Sequence, residues 1–120
     1  MRNRKQTYSC PQGCPVEVTL NVIGGKWKGV ILYHLIAQKK RYSELQRAIP
    51  SITPRVLALQ LRELEEDGVL TRTVYAEVPP RTEYQLSTLG ESLKPIILEM
   101  KNWGEQYSKT QNPESNDTPT

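Results

Sequence analysis

The strongest constraint on this chain is a change of hydrophobic period at Gly68. Ahead of it, apolar residues recur at helical intervals. Behind it, residues 70–76 and 82–87 form two short runs rich in β-branched and aromatic side chains, the types that suit a pleated, half-buried strand. Glu77-Val-Pro-Pro-Arg81 joins the runs. Pro79 and Pro80 stiffen that turn and, lacking N–H groups, prevent it from extending the ladder. A helix must therefore end, and a hairpin begin, close to Gly68.

The helix before the hairpin is predicted to start at Thr53-Pro54, with Thr as cap and Pro at the first position, and to close at Asp67-Gly68. Leu57, Leu61 and Leu64 form its inward face. Further upstream, a first helix is predicted from Pro15, with Cys14 as its cap and Glu17 in the acid-favouring first turn. Its stripe is Val16, Leu20 and Ile23, and Gly24-Gly25 end it. A second helix over residues 26–38 places Trp27, Val30, Ile31, His34 and Leu35 on one face. The patch Lys39-Lys40-Arg41 follows, then a short helix over 42–48 stopped by Pro50. After the hairpin, Thr88-Leu-Gly-Glu91 matches a capping box. Leu89, Leu93, Ile96, Ile97, Met100, Trp103, Gly104 and Tyr107 then repeat at helical spacing to residue 108, with a kink expected at Pro95.

This order predicts a mainly α fold with a small β-hairpin: a winged helix-turn-helix, made of a three-helix bundle plus a two-stranded wing. Helices at both ends of the domain are left for dimerisation. The domain is expected over residues 14–108, between a flexible basic arm (1–13) and a disordered polar tail (109–120). At 120 residues and 37% hydrophobic types, with a mean hydropathy of −0.59, the chain reads as one domain whose core is helped by a second copy. No apolar run is long enough for a membrane span or leader, and two cysteines are too few for a disulfide scaffold, so a cytoplasmic protein is expected. With one histidine and no paired carboxylates, phosphate loop or nucleophile–histidine set, the chain is not expected to be an enzyme or to hold a cofactor or metal.

Charge is distributed unevenly. Residues 1–62 carry eleven Lys/Arg against two acids, whereas residues 63–120 carry five against eleven. A concentrated positive field attracts polyanions whatever the net charge, and the helix-turn-helix plan makes duplex DNA the expected partner. Such a fold lays its second helix in the major groove. With Leu57, Leu61 and Leu64 inward, Arg55, Leu59 and Arg62 point outward. A guanidinium pairs bidentately with guanine, discriminating by ~1–3 kcal/mol per good pair. Thr53, Gln60 and the N–H groups at the helix start can reach phosphate or base edges, and Leu59 can meet thymine methyls. The competing role for Arg62 is an ion pair with Glu66 or Glu63, worth only ~0.2–0.5 kcal/mol. Lys39, Lys40 and Arg41 are expected phosphate contacts, with a solvated loop as the alternative, and Ser43 and Ser51 are expected among the DNA-binding residues. Arg81 is expected at a rigid wing tip beside the minor groove or a flanking phosphate, with a solvated turn as the alternative.

Several segments together resemble the HxlR-type winged helix-turn-helix regulators of bacteria. They are Cys14-Pro-Val-Glu, Gly24-Gly-Lys-Trp27, Arg41-Tyr-Ser-Glu-Leu45, Thr53-Pro-Arg-Val-Leu57, Leu61 to Gly68, Pro79-Pro-Arg-Thr-Glu-Tyr84 and Leu89-Gly90, in order and at compatible spacing. The resemblance implies a dimeric DNA-binding transcriptional regulator, with the first and last helices at the dimer interface and DNA contact through the helix at Thr53 and the Pro-Pro-Arg wing. Two positions depart from the pattern: Leu59 stands where a polar residue is expected, and Ser51 where glycine is usual. Both bear on the operator sequence rather than the fold.

The last helix offers more apolar surface than one small core can absorb. Val16, Leu20 and Ile23, together with Ile97, Met100, Trp103 and Tyr107, are therefore expected at a two-fold interface that sets two recognition helices ~34 Å apart on a near-palindromic operator. Cys14, at a helix start, is a candidate redox sensor with Cys10 as a resolving partner. The resemblance supports this for Cys14, since some family members sense reactive species at the matching position. A small cap residue with no regulatory role is the other possibility. His34 is expected to pack in the core. The alternative function is a winged-helix module that binds an acidic protein partner instead of DNA.

Overall fold

A computed structural model describes residues 13–111. The elements in chain order are α1 (Pro15–Ile23), α2 (Lys28–Ile36), β1 (Lys40–Arg41), α3 (Tyr42–Ala48), α4 (Pro54–Glu66), β2 (Leu70–Tyr75), β3 (Arg81–Leu86), α5 (Thr88–Glu91) and α6 (Lys94–Gln111). The fold is mainly helical, as expected, with a winged helix-turn-helix arrangement of α2, α3 and α4 followed by the β2–β3 hairpin.

One core joins all of these layers. Ile31, Leu32 and Leu35 of α2 pack with Leu45 of α3, with Leu57, Leu61 and Leu64 of α4, and with Leu70, Tyr84 and Leu86 of the sheet. Each full burial of such a side chain stabilises by about 1.5–3 kcal/mol. The turn between α3 and α4 is fixed by two hydrogen bonds from α3. The Tyr42 hydroxyl donates to the Pro54 carbonyl at 2.7 Å, and the Gln46 side-chain amide donates to the Ile52 carbonyl at 2.6 Å. The start of α4 is thereby set rigidly against α3.

Four features differ from the sequence reading. The wing is part of a three-stranded antiparallel sheet of order β1-β3-β2. Lys40 and Arg41 pair with Tyr84 and Glu83, so this patch is a strand rather than a loop. Two residues are too few for a period to show.

The buried face of α2 is rotated. Leu32 and Lys28 are inside, while Val30 is exposed. The helix is apolar around most of its circumference, so spacing alone does not fix its face. Lys28 is drawn inward by an ion pair with Glu63 at 2.6 Å.

The last helical stretch is two helices. Ser87, not Thr88, is the cap: its hydroxyl accepts from the Gly90 N–H at 3.0 Å and donates to the Gly68 carbonyl at 2.6 Å. A side chain at Gly90 would put a Cβ 2.1 Å from the Val69 carbonyl oxygen, so this close approach needs glycine. Pro95 then falls in the first turn of α6, where no intrahelical N–H is lost, and it breaks the chain between helices instead of kinking one. Finally, α6 runs to Gln111, three residues past the expected end at 108.

Candidate nucleic-acid interface and dimer face

The geometry of α4 follows from its ends. Thr53 accepts the Val56 N–H at 3.2 Å, Pro54 occupies the first position, and Gly68, at φ +81°, follows the C-cap Asp67. With Leu57, Leu61 and Leu64 sealed inside, Arg55, Ala58, Leu59 and Arg62 face outward. Leu59 is 44% exposed, so the helical phase inferred from the leucines holds and Leu59 does not pack internally. Among the described residues neither Arg55 nor Arg62 makes an ion pair. Two of the three acids on the same helix have cationic partners elsewhere: Glu63 holds Lys28 at 2.6 Å and Glu65 holds Arg72 at 3.4 Å. Ser43, Ser51 and Thr53 are exposed beside this face, and Gln60 is half-buried.

The wing is electrostatically different. Arg81 is not a cation at the tip of the hairpin. It opens β3 opposite Tyr75 and bridges Glu77 at 3.1 Å and Glu83 at 3.7 Å, with its guanidinium 4.1 Å from the Tyr75 ring centre. The tip itself is Val78, Pro79 and Pro80, with a cis Val78–Pro79 bond. Lys39 is also held by Glu83, at 3.4 Å. Partial burial works against the Glu83 charge, but hydrogen bonds from Tyr75 and Lys39 and the nearby Lys39 and Arg81 charges outweigh it, so the carboxyl lies below its ordinary range. The hydrogen bond to Glu83 in turn raises Lys39. Arg41 is exposed and Lys40 half-buried. The Glu77–Arg81 pairing was legible in principle, because a tight turn brings those two positions together.

His34 is half-buried with its ring edge-on to Tyr33, 5.6 Å between centroids. Partial burial, then the Lys40 charge, lower its pKa below 6.5. It joins the margin of the core rather than any reactive cluster.

On the other side of the molecule, α1 and α6 present an apolar surface. Val16 is 66% exposed and Trp103 67%, and Leu20, Met100 and Tyr107 are exposed with them. The Trp103 and Tyr107 rings stack at 5.1 Å. Two residues assigned to this face are instead core: Ile23 and Ile97 are 4% and 3% exposed, because α2 covers the inward sides of both helices. Val18 and Leu98 are exposed in addition. Following a single stripe per helix missed them.

Cys14 occupies the N-cap position of α1, half-buried and with extended backbone, and its carbonyl accepts the Val18 N–H at 3.0 Å. Its side chain makes no cap hydrogen bond, so the expected capping role belongs to the backbone and not the thiol. Cys10 lies outside the described residues. No helix among the described residues is long and apolar enough to cross a membrane.

Comparison with known proteins agrees with this architecture. The sequence model of the HxlR-like helix-turn-helix family matches residues 22–112. YdeP, an HTH-type transcriptional regulator of Bacillus subtilis (strain 168), is 59% identical over 111 residues, covering 89% of this chain and 87% of that protein. Among solved structures, the oxidised form of the redox regulator HypR is 60% identical with a TM-score of 0.75, covering 78% of this chain and 96% of that one. The reduced form of HypR is 57% identical with a TM-score of 0.77, covering 85% and 99%. With a winged helix-turn-helix core, an outward arginine pair on its recognition helix and a family match over most of its length, the chain belongs to the HxlR family of helix-turn-helix transcriptional regulators.

Proposed function

We propose that two copies of this regulator bind a near-palindromic operator, each laying the start of α4 in the major groove with its wing against the flanking backbone. The observation that carries this reading is the outward face of α4, where Arg55 and Arg62 stand exposed and without ion pairs among the described residues. Arg55 lies in the first turn, the end that enters the groove, and is assigned to base reading. Lys40 and Arg41, with Ser43, Ser51 and Thr53, are assigned to phosphate contacts, and Gln60 and Leu59 to the groove floor. Lys39 and Arg81 contribute through the shape of the sheet they brace.

Duplex binding measured against salt concentration tests the reading, since counterion release makes log affinity fall with log salt. Arg55→Ala is expected to weaken operator binding more than binding to scrambled DNA, and Lys40→Ala to weaken both alike. Equal losses for the two variants would remove the base-reading role of Arg55.

Thiol sensing belongs to the same proposal. Cys14 heads a helix of the exposed apolar face, and the similar protein HypR is by name a redox regulator. A peroxide converts a thiolate to a sulfenic acid, and a second thiol, for which Cys10 is the candidate, displaces water to close a disulfide. Mild peroxide is expected to shift operator affinity in the native chain and leave Cys14→Ser unmoved. An unchanged peroxide response in Cys14→Ser would discard the sensor.

A further inference from the structure

Along one side of α2 the packing against α6 is incomplete. A cavity of about 300 Å³ lies between the two helices, walled by Ile23, Val30, Ile97 and Met100. Val30 and Met100 remain exposed, as does Tyr33, which also lines the cavity. Gly29 keeps the space open. Glycine is a poor helix former, yet it stands in the first turn of α2, where a Cβ would lie 3.5 Å from the Met100 methyl carbon. That is ordinary contact, so alanine fits and a longer side chain would fill the cavity. The charged groups in the wall are Lys26 and Lys101, and among the described residues no carboxylate lines it. Lys101 is held by Glu105 at 2.6 Å on the exposed side of α6. Such surface pairs contribute little, so another carboxylate can take the place of Glu105. The helix that walls the cavity also carries Lys28, buried and 2.6 Å from Glu63 of the recognition helix.

We infer that this cavity binds a small amphipathic carboxylate as an effector, with its hydrocarbon body between α2 and α6 and its carboxylate at Lys101 and Lys26. Small-molecule sites run to about 300–1,000 Å³ and are mostly apolar, with a few polar groups that fix orientation. At about 30 Å³ for each water displaced, this cavity takes on the order of ten non-hydrogen atoms, the size of a medium-chain carboxylate. The four aliphatic walls suit the chain. The two ammonium groups select its charge, because a charged acceptor makes the stronger hydrogen bond and an amine would be repelled. Lys28 and the cavity wall ride on one helix, so a ligand that spreads α2 from α6 moves the Lys28–Glu63 pair and with it α4. The binding site stands on the cavity alone, whereas its effect on DNA rests on the function proposed above.

Calorimetric titration of the full chain with octanoate tests the site, with octanol and octylammonium as controls. Octanoate is expected to bind about tenfold more tightly than octanol, and octylammonium not to bind. Lys101→Met is expected to weaken octanoate by about tenfold and leave octanol unchanged. Gly29→Leu should abolish octanoate binding, and Gly29→Ala should retain it. Should Gly29→Leu fail to fold, the exposed Lys101→Met substitution still decides. Equal affinity for octanoate and octanol, or octanoate binding untouched by Lys101→Met, overturns the site. So does a native chain that takes up none of the three, the outcome if a side chain of a second copy fills the cavity. Saturating octanoate is expected to shift operator affinity severalfold in the native chain and not in Gly29→Leu. Binding without that shift overturns the coupling to α4, whereas a chain that binds octanoate but no duplex overturns the DNA reading and leaves the site.

Discussion

The recognition helix and the wing both carry arginines, but only one of them offers its charge. On α4, Arg55 and Arg62 project without carboxylate partners among the described residues, and Glu63 and Glu65 are engaged by Lys28 and Arg72. On the wing, Arg81 is clamped between Glu77 and Glu83 against Tyr75, and Lys39 shares Glu83. A cation already paired inside the protein has less to gain from a phosphate, since the new contact replaces an old one. Counting basic residues therefore overstates the wing. Under the proposed function, the difference assigns affinity and base choice to α4 and leaves the wing a braced shape.

The comparison depends on Lys28 holding Glu63, a pair whose side chains are 8% and 21% exposed. Lys28→Met removes the buried ammonium that Glu63 holds, and unfolding in urea should show a loss of about 3 kcal/mol. A loss under about 1 kcal/mol would mean that the pair behaves as a surface contact and does not hold α4. A smaller change of opposite sign is expected at the wing. Glu83→Gln releases Lys39 and leaves Arg81 to Glu77 alone, so affinity for any duplex should rise severalfold and its salt dependence should steepen by about one phosphate contact. Weaker binding by Glu83→Gln would show that the clamp presents these cations to DNA and does not withhold them.

The smallest expected effect is on pH. His34 has its pKa lowered from 6.5 by partial burial and by Lys40. The unfolded chain therefore takes up the proton first as pH falls, and the stability fully present above pH 6.5 is lost as pH drops through the lowered folded value. His34→Gln should flatten that part of the stability profile. A profile identical to the native one would show that His34 is not its source.

Much of the fold was legible because its signals are local. Thr53-Pro54 marks the start of α4, Pro15 and Gly24-Gly25 bracket α1, and the two strands flank a proline turn. The α4 site was legible for the same reason: three leucines at helical spacing fix which residues face out. What escaped is set by tertiary pairing. A two-residue strand has no period, α2 is apolar on nearly every side, and Ile23 and Ile97 look like interface until α2 is seen to cover them. The pairing of Arg81 was missed, although legible in principle, because Glu77 and Glu83 lie only four and two positions away and the turn and strand bring both to its guanidinium.

The most direct test is the ratio of operator affinity to scrambled-duplex affinity, measured by fluorescence anisotropy for the native chain, Arg55→Ala and Arg81→Ala under one salt condition. Arg55→Ala is expected to shrink that ratio by about 10- to 100-fold, the worth of one bidentate guanine contact, and Arg81→Ala to leave it within about threefold, as suits a cation already neutralised. A loss of the ratio in Arg81→Ala as large as in Arg55→Ala would contradict the division between helix and wing.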